Sequence, residues 1–200
     1  MVKIFKFVCA TGIILAFSMA MMRYASAKDR IFVGKVIDAD TKEPIEGAVV
    51  VASWLEATST LLGDESTRFK DVKETLTNRN GEWSIVGEEG RMHNPYPYLS
   101  RITPIYYTRE PEFIIFKPGY CSWPNGFSID GCKGSLKPGG NGEIDEGKII
   151  ELPKLTNRED RLQAQSISLP GGEGALEKMG ELIRLINEER KSLGLPETLR

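Results

Sequence analysis

The sequence predicts a mainly β chain: a two-sheet Greek-key sandwich followed by an amphipathic helical extension. Three observations predict it. Runs of β-branched and aromatic residues recur between positions 31 and 152, and Gly, Pro, Asn and Asp clusters separate them. After Pro153 the apolar period changes from two to about three and a half, which is helical.

The first 27 residues read as a leader. Lys3 and Lys6 form a basic start, Phe7 to Met22 is almost wholly apolar, and Ala25-Ser26-Ala27 offers small residues for cleavage. That apolar run is shorter than the roughly 20 residues a membrane span needs. Cys9 precedes most of the run and follows Val8, which does not suit lipoprotein processing. The expectation is a mature chain from Lys28, exported, with no membrane span left. Its sandwich would occupy 28–155 and its helical extension 156–200.

Ile31 to Asp38 is the first strand, with Ile31, Val33 and Lys35 on one side and Phe32, Gly34 and Val36 on the other. Asp40 to Glu46 turns the chain. Ala48 to Trp54 is continuously apolar, as a central strand buried on both faces would be. Leu55 to Lys70 has no clear period and reads as a helical excursion or a long loop. Lys73–Leu76 and Glu82–Val86 flank Asn78–Gly81 as a hairpin. Glu88 to Glu110, with Pro95, Pro97 and Pro104, reads as an extended aromatic loop holding a short strand at Ile102–Tyr107. Phe113–Phe116 re-enters the core, Trp123–Gly142 is a second long loop, and Lys148–Leu152 is the last strand.

Beyond Pro153, Thr156 and Glu159 have capping-box spacing for a short helix to Gln165. Pro170-Gly171-Gly172 breaks the chain. Ala175, Leu176, Met179, Leu182, Ile183 and Ile186 then mark one helical face, with Lys191, Gly194 and Pro196 as a stop.

Several of these pieces fall in a familiar order. Gly34-Lys35-Val36-Ile37-Asp38, then Pro44-Ile45-Glu46-Gly47-Ala48 into Val49-Val50-Val51, then Thr77 to Ile85, and finally Lys117-Pro118-Gly119-Tyr120, resemble the carboxypeptidase regulatory-like domain family. That resemblance implies a transthyretin-like β-sandwich and a non-enzymatic module. It covers residues 31–155 at most and says nothing of the tail.

Catalysis is disfavoured by residue supply. Hydroxyisourate hydrolases need several histidines and a Tyr-Arg-Gly-Ser ending, and intradiol dioxygenases hold iron with two tyrosines and two histidines. This chain has one histidine, His93, and ends Glu197-Thr198-Leu199-Arg200. It contains no Gly-x-Ser-x-Gly elbow. No cofactor is expected. Cys121 and Cys132 with His93 do not complete a zinc shell, and the Gly139–Gly147 loop lacks the ordered spacing of a calcium site. Asp38 with Asp40, Asp64 with Glu65, and Asp145 with Glu146 are explained by turns or solvated edges.

Export makes a Cys121–Cys132 disulfide the expectation, the alternative being two free thiols in a long loop. Removing Lys3, Lys6 and Arg23 with the leader leaves 23 basic against 28 acidic residues, a formal charge of −5. Such a surface does not bind nucleic acid by bulk electrostatics. The candidate binding residues are Tyr96, Tyr98, Tyr106, Tyr107, Trp123 and Phe127, which would stack on sugars, contact protein, or simply cover the open end of the sandwich. Leu182, Ile183 and Ile186 would either pack on their own sheet or dock a partner. The partner expected is an envelope protein or a polysaccharide.

Overall fold

Two antiparallel-rich sheets face each other across an aromatic core in the computed structural model. It describes residues 29–59, 65–91, 94, 98–99, 102, 105–124, 129, 132, 144, 147–165, 167, 171 and 174–197. The strands are β1 (Asp29–Asp38), β2 (Val49–Ser59), β3 (Glu65–Leu76), β4 (Glu82–Glu88), β5 (Tyr107–Thr108), β6 (Glu112–Phe116) and β7 (Lys148–Leu152). The first sheet has the order β4–β1–β7, with β1 antiparallel to β4 and parallel to β7. In the second, β2 pairs with β3 on one side and with both β5 and β6 on the other.

The inner faces interlock. Phe32, Val36, Trp83, Ile85 and Leu152 from the first sheet meet Val50, Trp54, Phe113 and Ile115 from the second. Phe32 lies edge-on to Trp54 and Phe113, with ring centroids 6.1 and 5.7 Å apart. A Cβ at Gly87 would stand 2.1 Å from the Trp54 ring, so the indole occupies the space a side chain there would need. From that position the Trp54 Nε1–H donates to Glu88 O at 2.8 Å.

The second sheet is covered on its outer face as well. Val49, Val51, Val72 and Phe116 pack beneath Ala175, Met179, Leu182, Leu185 and Ile186 of the tail. Burial on both faces is why Val49 to Ala52 reads as an uninterrupted apolar run. The tail consists of α1 (Arg158–Ala164), a 3-10 turn (Leu176–Lys178) and α2 (Gly180–Ser192). Arg161 forks onto the buried Glu189 with two 2.7 Å bonds, which ties α1 to α2 and holds the guanidinium charged.

Four expectations change. Leu55–Ser59 and Glu65–Lys70 are strand rather than helix or loop, because Glu56, Arg68 and Lys70 fill a solvated edge with charge pairs instead of an apolar alternation. β3 and β4 do not pair with each other: Asn78–Gly81 carries the chain from one sheet to the other. Asn78 builds that crossing, its Oδ1 accepting the N–H groups of Asn80 and Glu82, and Gly81 completes it at φ +73°. The short strand expected at Ile102–Tyr107 is Tyr107–Thr108, while Ile102 sits in a turn closed onto Leu99 O at 3.0 Å. Finally, the cap of α1 is Asn157, whose side chain accepts the Glu159 N–H at 2.9 Å, rather than Thr156.

Candidate interaction surfaces

One end of the sandwich carries the tyrosine-rich segment. Tyr98 is 81% exposed and Ile102 79%, with Leu99 and Tyr106 also open. Arg68 stacks its guanidinium 3.9 Å from the centre of the Tyr106 ring while bonding Glu56 at 2.6 Å, so one face of that ring is already occupied. Tyr107 differs from its neighbour. It is buried, its hydroxyl donates to Glu65 at 2.8 Å, and burial together with that carboxylate pushes its pKa up to about 12. It offers no ring face for stacking, which corrects its place among the binding residues. Tyr107 opens β5, whereas the exposed Tyr106 stands just before it.

Trp123 is half-buried against the core, bridged to Ile115 by mutual backbone bonds of 2.7 and 2.8 Å. Lys148 stands 5.9 Å from its ring centre. Tyr96, Phe127, His93, Asp64, Asp145 and Glu146 lie outside the described residues. The structure thus brings Tyr98 and Tyr106 to the surface and separates both from Tyr107 in exposure.

Beside this end lies a polar cluster centred on Lys70. The register of β2 against β3 slips between Trp54 and Leu55, leaving Lys70 as the extra residue of a bulge. The bulge turns its ammonium onto Glu88 and Thr108, and within 3.6 Å of Glu56. Thr108 in turn donates to Glu88 at 2.6 Å. Every group here is engaged in holding β3, β4 and β5 together.

A second surface is the outer face of the β4–β1–β7 sheet. Ile31 and Val86, directly paired across β1 and β4, are 57% and 52% exposed, and Ile149 on β7 is 56% exposed. A groove of about 710 Å³ crosses this face, lined among others by Val33, Lys35, Leu76, Glu82, Ser84 and Ile149. These residues were not among the sequence candidates. The signal was present: β1 is apolar on both of its faces, Ile31 and Val33 as well as Phe32 and Val36, although the first sheet has only one buried side.

The third candidate, the tail helix, is engaged. Leu182 is fully buried and Ile186 nearly so, both against Val49, Val51, Val72 and Phe116, with Ile183 half-buried beside them. Their apolar stripe covers the chain's own sheet. Cys121 and Cys132 form the disulfide, buried in a small cluster with Ile129, Leu155 and Ala164. Among the described residues no group of histidine, cysteine and carboxylate side chains could hold a metal. No described helix is long and apolar enough to cross a membrane.

No family model matches the chain, and no curated relative does. Among solved structures, 3-chlorocatechol 1,2-dioxygenase from Rhodococcus opacus 1CP is similar at 19% identity, over 48% of this chain and 42% of that one, with a TM-score of 0.26. Catechol 1,2-dioxygenase from Acinetobacter sp. ADP1, inhibited by bound mercury, matches at 16% identity over 48% and 35%, with a TM-score of 0.27. Catechol 1,2-dioxygenase from Pseudomonas arvilla C-1 matches at 15% identity over 68% and 55%, with a TM-score of 0.35. The chain spans between about a third and about half of the length of these enzymes. Likeness at this level carries no argument for chemistry.

Proposed function

We propose that this chain is an exported, non-enzymatic β-sandwich module of the carboxypeptidase regulatory-like, transthyretin-like type, working as an interaction or scaffold protein of the cell envelope. The observation that carries this reading is the outer face of the β4–β1–β7 sheet. Ile31, Val86 and Ile149 are each more than half exposed on a face that the chain's own helix leaves uncovered. Exposed apolar side chains gathered on one sheet face are a mark of a contact surface. The buried disulfide and the leader-like first 27 residues support export.

The test is affinity capture from the native envelope fraction, with the chain from Lys28 as bait. A saturable protein partner, displaced by untagged bait, is the expected result. Failure to capture any protein contradicts the reading.

A second reading is a carbohydrate-binding module, favoured by the exposure of Tyr98 and Tyr106 at one end of the sandwich. It requires retention on an envelope polysaccharide that Tyr98→Ala abolishes without lowering thermal stability.

A further inference from the structure

We propose that the outer face of the β4–β1–β7 sheet docks a second copy of this chain, sheet against sheet, about a two-fold axis running between β1 and β4. This rests on the interaction reading above and names the partner of that face.

The pattern of side chains selects the occupant. β1 and β4 pair antiparallel, with Ile31 opposite Val86, Val33 opposite Ser84 and Lys35 opposite Glu82. Alternation puts these residues on the outer side, since Phe32, Val36, Trp83 and Ile85 fill the core from the other. One end of the face therefore carries two aliphatic side chains and the other a cation beside an anion. Among the described residues no ion pair joins Lys35 to Glu82 or to any other carboxylate. A uniformly acidic or uniformly basic partner would attract one of the two and repel the other. An acyl chain would cover Ile31 and Val86 but would desolvate both charges without a counter-charge. The occupant has to set aliphatic groups on Ile31 and Val86, and an anion and a cation on Lys35 and Glu82, at the spacing of two neighbouring strands.

The chain's own face does this under rotation. A two-fold axis parallel to the strands and midway between β1 and β4 lays β1 of one copy over β4 of the other and keeps every row in place. Lys35 then faces Glu82 of the second copy, and Glu82 faces its Lys35. Ile31 and Val86 meet in the same reciprocal way, and the small Ser84 leaves room for Val33 of the second copy. Such reciprocity is what an isologous interface requires. Sheets stacked face to face lie about 10 Å apart, a gap that facing side chains fill. Ile149, beside Lys35 on β7 and more than half exposed, widens the apolar area.

The test is sedimentation equilibrium of the chain from Lys28, disulfide intact, over a concentration series. The expected result is a reversible monomer–dimer equilibrium that Lys35→Glu and Glu82→Lys each weaken at least tenfold, because each sets like charges against one another across the axis. Mixing the two variants restores association, since every charge then faces an opposite one on the other copy. Within each variant the β1–β4 pair stays like-charged, so that rescue reports contact between copies and not a change inside one sheet. Should a charge variant lose its cooperative melt, Ile31→Asn decides, with the same tenfold loss expected. The proposal is overturned if the wild-type chain stays monomeric, if the dimer is unchanged by Lys35→Glu or Ile31→Asn, or if mixing folded charge variants restores nothing. A monomeric chain that still captures an envelope protein, and loses it in Ile149→Glu, would overturn the second copy and leave the interaction reading standing.

Discussion

Glu74 and Leu182 are 108 residues apart in sequence, and the carboxylate of one accepts the backbone N–H of the other at 3.0 Å. The second oxygen takes the Glu181 N–H at 2.7 Å. Met179, at the N-cap of α2, has no side-chain oxygen to offer, so a strand of the second sheet caps the helix from outside. The negative charge also meets the positive end of the helix dipole. Glu74→Ala is expected to cost about 1–2 kcal/mol by denaturant unfolding, with faster amide exchange at Glu181 and Leu182. Glu74→Gln, which keeps an acceptor, should cost less.

Removing the tail from Gly174 onward should not leave a well-packed sandwich. It uncovers Val49, Val51, Val72 and Phe116 together, and it breaks the Lys178–Asp71 ion pair. Each of these side chains gains about 1.5–3 kcal/mol from full burial, so the loss rivals the stability of a whole domain. The expected outcome is aggregation, or strong binding of a hydrophobic dye with loss of cooperative melting. A truncated chain that melts cooperatively at the wild-type temperature would contradict this packing.

The disulfide closes a loop across a sequence separation of 11. In the chain-entropy model a loop of that length contributes about 3 kcal/mol. The Cys121→Ser, Cys132→Ser double variant should lower unfolding free energy by about that amount. The same shift should appear on reduction of the wild type and be absent on reduction of the variant.

Asp38 predicts a feature of the acid limb. Its carboxylate accepts the N–H groups of Thr41 and Asp40 at 3.0 and 2.9 Å and the Tyr120 hydroxyl at 3.2 Å, and the Thr41 bond chiefly holds it below the usual carboxylate range. A carboxyl whose folded pKa is depressed releases its proton more readily folded than unfolded. Its contribution is therefore present above the ordinary Asp pKa of about 3.9 and lost as pH falls through the folded value. Asp38→Asn should flatten the acid limb of the stability–pH curve and leave the curve above neutrality parallel to wild type.

What was legible in the sequence followed from apolar period and turn chemistry. β1, β6 and β7 stand where Ile31–Asp38, Phe113–Phe116 and Lys148–Leu152 indicated. The charged first half of β3 was illegible because Glu65, Arg68 and Lys70 are paired across space, with Arg109, Glu56 and Glu88, and pairing leaves no local pattern. The Asn78–Gly81 turn was recognisable, but its partner sheets were not, since a turn of this kind joins strands whether or not they pair. Whether Leu182 and Ile186 would meet their own sheet depended on Glu74 and Phe116, which no helical period reports. Tyr106 and Tyr107 are adjacent and chemically identical, so only their tertiary placement, Tyr107 in β5 and bonded to Glu65 and Tyr106 before it, decides which is exposed.

The measurement that tests the account most directly is capture from the envelope fraction with three baits in parallel: the chain from Lys28, its Ile149→Glu variant, and its Tyr98→Ala variant. If the chain acts by contact through the open face of its first sheet, the wild-type bait takes up a saturable protein partner. Ile149→Glu should then lose it at least tenfold and Tyr98→Ala should retain it. Polysaccharide held without protein, and released by Tyr98→Ala but not by Ile149→Glu, would contradict the account and move the function to the tyrosine-rich end.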